Sequence, residues 1–248
     1  MSGAPEILLS PLLEGFAHGF TTRRGGTSAS PFDGLNLGDA VGDAPACVEA
    51  NWERLRRAAR LDFARVRQVH GDRVARAARA GPAEDEADAV VSAVPGVAAC
   101  VSVADCVPML LADPRSGAVA AVHAGWRGTL AGAARRAVQA LGDWHGARPE
   151  ELLAAIGPSI GPCCYEVSVD LAERFRVELG ADTGNPSPGQ PRVDLWLGNE
   201  GVLRRAGVVR GHIHLLRRCT ACEDQVFFSH RRDQGRTGRQ VGFIAPLS

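Results

Sequence analysis

The sequence predicts an α+β fold in a single domain, with a mixed β-sheet flanked by helices, and three observations carry that expectation. Short valine- and alanine-rich runs of strand length crowd the middle of the chain in ADAVVSAVPGVAACVSVADC. Amphipathic stretches of helical length stand both before and after them. Strands and helices mix without the regular alternation that builds a doubly wound parallel sheet. With 248 residues, 45% of them apolar, the chain can fill one substantial core, and one domain over 1–248 is expected.

Taken in order, residues 21–43 are rich in Gly, Ser, Thr and Asp and read as a long looping segment, a length usually kept for function. ACVEANWERLRRAARL places Val48, Trp52, Leu55 and Ala59 on one helical face and arginines on the other. A polar connection at 79–87 precedes the valine-rich strands. A helix over 129–141 is expected next, with Gly142 as its C-cap. Further helices are predicted at 168–179, capped by Ser168, and at 194–206, capped by Asp194. Strands are expected near 152–156, 164–167, 208–215, 225–228 and 240–244.

Formal net charge is zero and no uncharged run approaches the roughly 20 residues that cross a bilayer. Neither membrane nor nucleic acid is therefore an expected partner. The first twenty residues lack a basic segment followed by a long apolar one, so no signal peptide is expected and the cytoplasm is the expected compartment. Seven scattered cysteines do not resemble a secreted disulfide framework. All 28 basic residues are arginine, which excludes a Schiff-base lysine and a Walker A loop.

Chemistry concentrates on VADCVPMLLADPRSGAVAAVHAGWRG. Folding it about Asp113–Gly117, with Ala112 against Gly117 or Ala118, brings Cys106 opposite His123. Thiol and imidazole at that spacing can share one zinc ion or one proton. Pro108 disrupts regular pairing beside Cys106, and the glycines of HAGWRG permit a tight exit from the His123 strand. His70 in RVRQVHGDRV is the leading third ligand, and Asp105 is a candidate proton carrier. Arg127, near a helix start, is a candidate for an anion. Arg23, Arg24 and Asn36 in the looping segment, and Arg231 and Arg232 in FSHRRD, are candidates for substrate contact. A rival zinc site is His212 and His214, read as sharing one strand face, with the Cys219–Cys222 CxxC. Cys163 and Cys164 read as packing residues on opposite sides of a strand.

TTRRGGTSASPFDGLNLGDAVGD, QVHGD, ADAVVS, ADCVPMLLADP, HAGWRG, AIGPSIGPCCYEV and FFSHRRDQGRTGRQVGFI together resemble the YfiH-like, or DUF152, proteins over nearly the whole chain. That resemblance implies the YfiH-like fold and zinc bound by the residues that stand here as His70, Cys106 and His123. It implies phosphorolysis of adenosine, inosine and S-methyl-5'-thioadenosine, with adenosine deamination as an added activity and a purine nucleoside and phosphate as partners. A monomer is expected.

Two other readings use the same residues. Cys106 as nucleophile with His123 as base, oriented by Asp105 or His70, makes a cysteine hydrolase of amides or esters. Copper in place of zinc makes a polyphenol oxidase, since copper(II) outcompetes zinc at most nitrogen and sulfur sites. A conventional multicopper oxidase needs repeated His-x-His pairs, and this chain has seven histidines and one such pair. The H-x-E and P-C-x-x-C pattern of zinc nucleobase deaminases is absent.

Overall fold

The computed structural model describes residues 3–77, 79–81, 85–187 and 189–246. In chain order its strands are β1 (Ile7–Leu8), β2 (His18–Thr21), β3 (Asp62–Ala64), β4 (Val74–Arg76), β5 (Ala89–Ser92), β6 (Val97–Val103) and β7 (Val107–Ala112). They continue with β8 (Val119–Ala124), β9 (Leu153–Ile156), β10 (Gly184–Asn185), β11 (Arg192–Val193), β12 (Ile213–Leu215) and β13 (Gln240–Ile244). The helices are α1 (Pro45–Ala59), α2 (Trp126–Ala131), α3 (Ala133–His145), α4 (Val169–Leu179) and α5 (Leu195–Arg205). Among the described residues no helix is long and apolar enough to cross a membrane.

The strands form two mixed sheets and a small ribbon. One sheet runs β1-β2-β13-β6-β3, the other β12-β9-β7-β8-β5-β4, and β10 pairs with β11. Both large sheets combine antiparallel neighbours with parallel pairing at an edge: β3 with β6 in the first, and β12 with β9 and β4 with β5 at the two edges of the second. Strand alternation then sorts the core into layers. Leu110, Ala112, Val119 and Ala121 share a core with Ala99, Val101 and Ile244 of the facing sheet. Their neighbours Met109, Leu111, Ala120 and Val122 pack the other way with Ala134, Val138 and Leu141 of α3 and Leu203 of α5. On the far side Val48, Trp52 and Leu55 of α1 pack with Phe63, Cys100 and Phe243. Each fully buried Leu or Val stabilises this stack by ~1.5–3 kcal/mol.

Several local expectations need correction. The helix expected at 129–141 is two helices, because Gly132 takes φ 82° between α2 and α3, and Gly146 rather than Gly142 ends the second. No strand forms at 164–167 or 225–228, where the chain turns, and 208–215 keeps only β12 after a short 3-10 turn holding His212. His212 and His214 therefore do not share a strand face. Residues 82–84 of the expected connection at 79–87 lie outside the described residues. Ser168 and Asp194 cap α4 and α5 as expected, accepting from the amides of Leu171 and Leu197 at 3.2 and 3.0 Å.

Candidate metal centre

Cys106 stands where the chain passes from one sheet to the other. β6 belongs to the first sheet and β7 to the second, with only Ala104, Asp105 and Cys106 between them. The β7–β8 hairpin pairs Ala112 with Val119 and Pro108 with His123. This register is one residue from the expected pairing of Ala112 with Ala118 and two from its pairing with Gly117, the one that sets Cys106 directly opposite His123; Cys106 therefore aligns with Gly125 and meets His123 diagonally. The turn is longer than expected: Asp113 and Ala118 close it, and the Asp113 carboxylate accepts from the amides of Arg115 and Ser116. A shift of two preserves the face of every side chain, which is why the contact survives.

His70 arrives from the segment after β3, with φ 61°. Asp88, fully buried just ahead of β5, ties it to His123. The Asp88 carboxylate accepts from the amides of His70 and Gly71 at 2.9 and 2.6 Å and from Nδ1 of His123 at 2.8 Å. That engages Nδ1 and leaves Nε2 of His123 for the cluster. The His70 and His123 rings meet edge to face, centroids 4.8 Å apart, and the ligand atoms of His70, Cys106 and His123 lie within 4.8 Å of one another. Gly125 makes room, since a Cβ there would stand 2.9 Å from Cys106 Sγ.

The electrostatics agree with the geometry. Burial alone would push the Cys106 thiol up, but the charge and hydrogen bond of His123, helped by His70, outweigh it and bring it down to about 6. Burial would lower His123, yet Cys106 and Asp88 raise it to about 9. Burial opposes ionisation of Asp88 as well, and His123 with the amides of Gly71 and His70 still holds that carboxyl below its usual range. Cys100, buried without such partners, is instead pushed up to about 12. Two imidazoles and a thiolate converging on one point, one imidazole backed by a buried carboxylate, suit zinc or copper.

Asp105 adopts φ 87° beside this cluster. Its carboxylate oxygens accept from the Thr220 hydroxyl and the Arg231 amide, each at 2.6 Å, so it braces two distant loops against Cys106. Arg231 reaches the Glu166 carbonyl at 2.8 Å and lies over the Tyr165 ring at 5.1 Å. Arg127, two residues past Gly125, stacks on Trp126. Arg23 instead spans Asp33 and the Asp224 carbonyl, and Arg24 reaches the Gln225 carbonyl. Arg232 reaches the carbonyls of Thr220 and Phe227. Asn36 is fully buried, donating to Asp43 and accepting from the amides of Gly38 and Arg239.

Sequence reasoning missed three residues. Asp88 lies in ADAVVS, a stretch whose apolar pattern hides its one carboxylate. Tyr165 lies near enough to Cys106 that the thiolate adds to burial in pushing its phenol up to about 12. Arg239 is drawn below its usual range by burial while Cys106 and Asp105 pull the other way, which places its charge within reach of both.

A mixed α+β scaffold of two facing sheets with helices on both outer sides, holding a histidine–cysteine–histidine constellation where the chain passes between the sheets, defines a class of candidate metalloprotein. The chain belongs to the family described as multi-copper polyphenol oxidoreductase laccase, whose model matches residues 17–246. It is 44% identical over 230 residues to the purine nucleoside phosphorylase of Deinococcus radiodurans, covering 92% of this chain and 88% of that one. It is 39% identical over 251 residues to purine nucleoside phosphorylase YlmD of Geobacillus stearothermophilus, covering 95% and 92%. The crystal structure of Bacillus licheniformis hypothetical protein YfiH is similar with TM-score 0.90 and 33% identity, covering 98% of this chain and 97% of that one.

Proposed function

We propose that this protein is a zinc-dependent purine nucleoside phosphorylase acting on adenosine, inosine and S-methyl-5'-thioadenosine, with adenosine deamination as a side activity. The observation that carries this reading is the convergence of His70, Cys106 and His123 in a chain so similar to relatives of that name. These three side chains would hold the metal, and zinc bound there would supply Lewis acidity toward a substrate oxygen. Phosphorolysis joins a phosphate oxygen to C1' of the ribose and breaks the bond from C1' to the purine nitrogen, whose electron pair takes up a proton. Arg127, Arg231 and Arg239 offer cationic charge for the phosphate. Tyr165, its phenol protonated at neutral pH, offers a ring face and one hydrogen-bond donor. Asp88 keeps the His123 proton on Nδ1, and Asp105 holds the Thr220 and Arg231 loops beside Cys106.

The test is to incubate metal-defined protein with inosine or adenosine, with and without phosphate, and identify the products chromatographically. Ribose 1-phosphate formed only with phosphate supports the reading; no turnover of any nucleoside overturns it. A second reading, the cysteine hydrolase, is favoured by the Cys106 thiol lying near 6 beside His123. Metal-free protein that turns over an ester or amide, and loses that activity on alkylation of Cys106, would establish it instead.

A further inference from the structure

Four of the seven cysteines gather at one place outside this centre. Cys163 and Cys164 follow β9, Cys219 and Cys222 follow β12, and these two strands run parallel side by side. Their continuations stay paired beyond the strands: Ser159 bridges Cys219, with Ser159 N–H on the Arg218 carbonyl at 3.2 Å and Thr220 N–H on the Ser159 carbonyl at 3.0 Å. Each continuation then turns. The amides of Cys164 and Tyr165 return to the Gly161 carbonyl at 3.0 Å, and that of Glu223 to the Cys219 carbonyl at 3.1 Å. Because Cys163 and Cys164 lie in a turn rather than a strand, adjacency does not send them to opposite sides.

We propose that Cys163, Cys164, Cys219 and Cys222 bind a second, structural zinc ion as a tetrathiolate. The four sulfurs lie within 4.8 Å of one another, with Cys222 Sγ 3.5 Å from Cys163 Sγ and 3.3 Å from Cys164 Sγ. A tetrahedron with zinc–sulfur bonds of ~2.3 Å has edges of about 3.8 Å, so small movements close this set on one ion. The nearest alternative, a disulfide, would draw one pair to ~2.0 Å and leave the other two thiols beside it. Binding exchanges four thiol protons for one divalent cation and leaves the site with two negative charges. The Gly161 N–H already donates to Cys219 Sγ at 3.2 Å, and the Arg192 guanidinium donates to the carbonyls of Pro162 and Cys163. Both are the kind of donor that offsets thiolate charge around a bound metal.

The ion would brace the wall of the other centre. Thr220, inside the CxxC turn, donates to Asp105, and Tyr165, next to Cys164, lies under Arg231. A cross-link between the two cysteine turns holds these groups in mutual register without touching substrate.

The experiment uses full-length protein purified under reducing conditions, loaded with zinc and desalted, with metal counted by mass spectrometry. Two zinc ions per chain are expected in the wild type, and one in Cys106→Ala. Cobalt added to metal-free Cys106→Ala should give the sulfur-to-cobalt charge transfer and intense visible bands of a tetrahedral four-thiolate ion. Cys163→Ser and Cys222→Ser, combined with Cys106→Ala, should each weaken and shift that spectrum toward three sulfurs, a readout that needs no activity. Cys106→Ala that binds no zinc, a cobalt spectrum without thiolate charge transfer, or a disulfide among the four cysteines in reducing preparations would overturn the proposal.

Discussion

The two sulfur-bearing clusters are built on opposite plans. His70, Cys106 and His123 offer two nitrogens and one sulfur, come from three separate segments, and are organised around a buried carboxylate, Asp88. Cys163, Cys164, Cys219 and Cys222 offer only sulfur, come from two turns side by side, and are organised by backbone pairing. A tetrahedral ion held by three protein ligands keeps a position for substrate, whereas four thiolates close the shell. Under the proposed function and the proposed second ion, the difference would put reactivity in the first cluster and mechanical restraint in the second.

Removing one sulfur from each cluster is the strongest way to break this comparison. Cys106→Ala should lower phosphorolysis by roughly 1,000-fold or more while the protein stays folded. Cys219→Ser should do the reverse, lowering the melting temperature of zinc-loaded protein by about 10 °C, from ~3 kcal/mol at roughly 3 °C per kcal/mol, and keeping measurable turnover. Nucleoside assays and thermal melts on both variants check it. Equal loss of stability from both, or equal loss of activity, would erase the distinction.

Asp88→Asn tests whether the buried carboxylate is what separates the clusters. An amide still accepts from the His70 or Gly71 N–H but holds the His123 Nδ1 proton less firmly. Zinc affinity at the three-ligand centre should fall about 10- to 100-fold, with the four-cysteine site unaffected, as read by competition with a chelator. Gly125→Ala is a smaller steric version of the same test. The backbone there, φ −75° and ψ −175°, accepts alanine without strain, while the new Cβ would stand 2.9 Å from Cys106 Sγ and 3.4 Å from His70 Cδ2. Affinity at this centre should drop roughly 10-fold with a melting temperature close to wild type; an unchanged affinity would show that Cys106 can move without cost.

The clusters also differ in how far the sequence reveals them. Cys106 and His123 are linked by a local hairpin, so alternation along neighbouring strands brings them to one face even with the register displaced by two. Resemblance, not spacing, supplies His70, because its contact depends on a loop from the other sheet. The mixed α+β character follows from element lengths and their irregular order, but division into two facing sheets rests on β6 and β7 belonging to different sheets across a three-residue link. The cysteine quartet depends on parallel pairing of β9 with β12 across intervening helices, a non-local contact with no periodic signature. Reading Cys163 and Cys164 as a strand concealed it, and Asp88 was concealed by the apolar strand that follows it.

Acid should weaken both metal centres by protonating thiolates, so a stability loss from outside them must be separated before pH is used to compare them. His18 on β2 is such a source. Its Nδ1–H donates to the Phe16 carbonyl at 2.8 Å and its Nε2 accepts the Ser10 amide at 2.9 Å, an arrangement that only the neutral ring satisfies. Burial lowers its pKa from 6.5, partly opposed by the hydrogen bond that Nδ1–H donates to the Phe16 carbonyl. Because the folded value lies below the unfolded one, its contribution to stability is complete above about pH 6.5 and is lost as pH falls through the folded value. Metal-free wild type should therefore melt at progressively lower temperature below that pH. His18→Gln, which can still accept the Ser10 amide, should start lower but show a flatter dependence over the same range. Parallel slopes in the two metal-free proteins would place the acid sensitivity in groups other than His18; a flatter slope in His18→Gln leaves any extra acid loss in zinc-loaded protein to the thiolates of the two clusters.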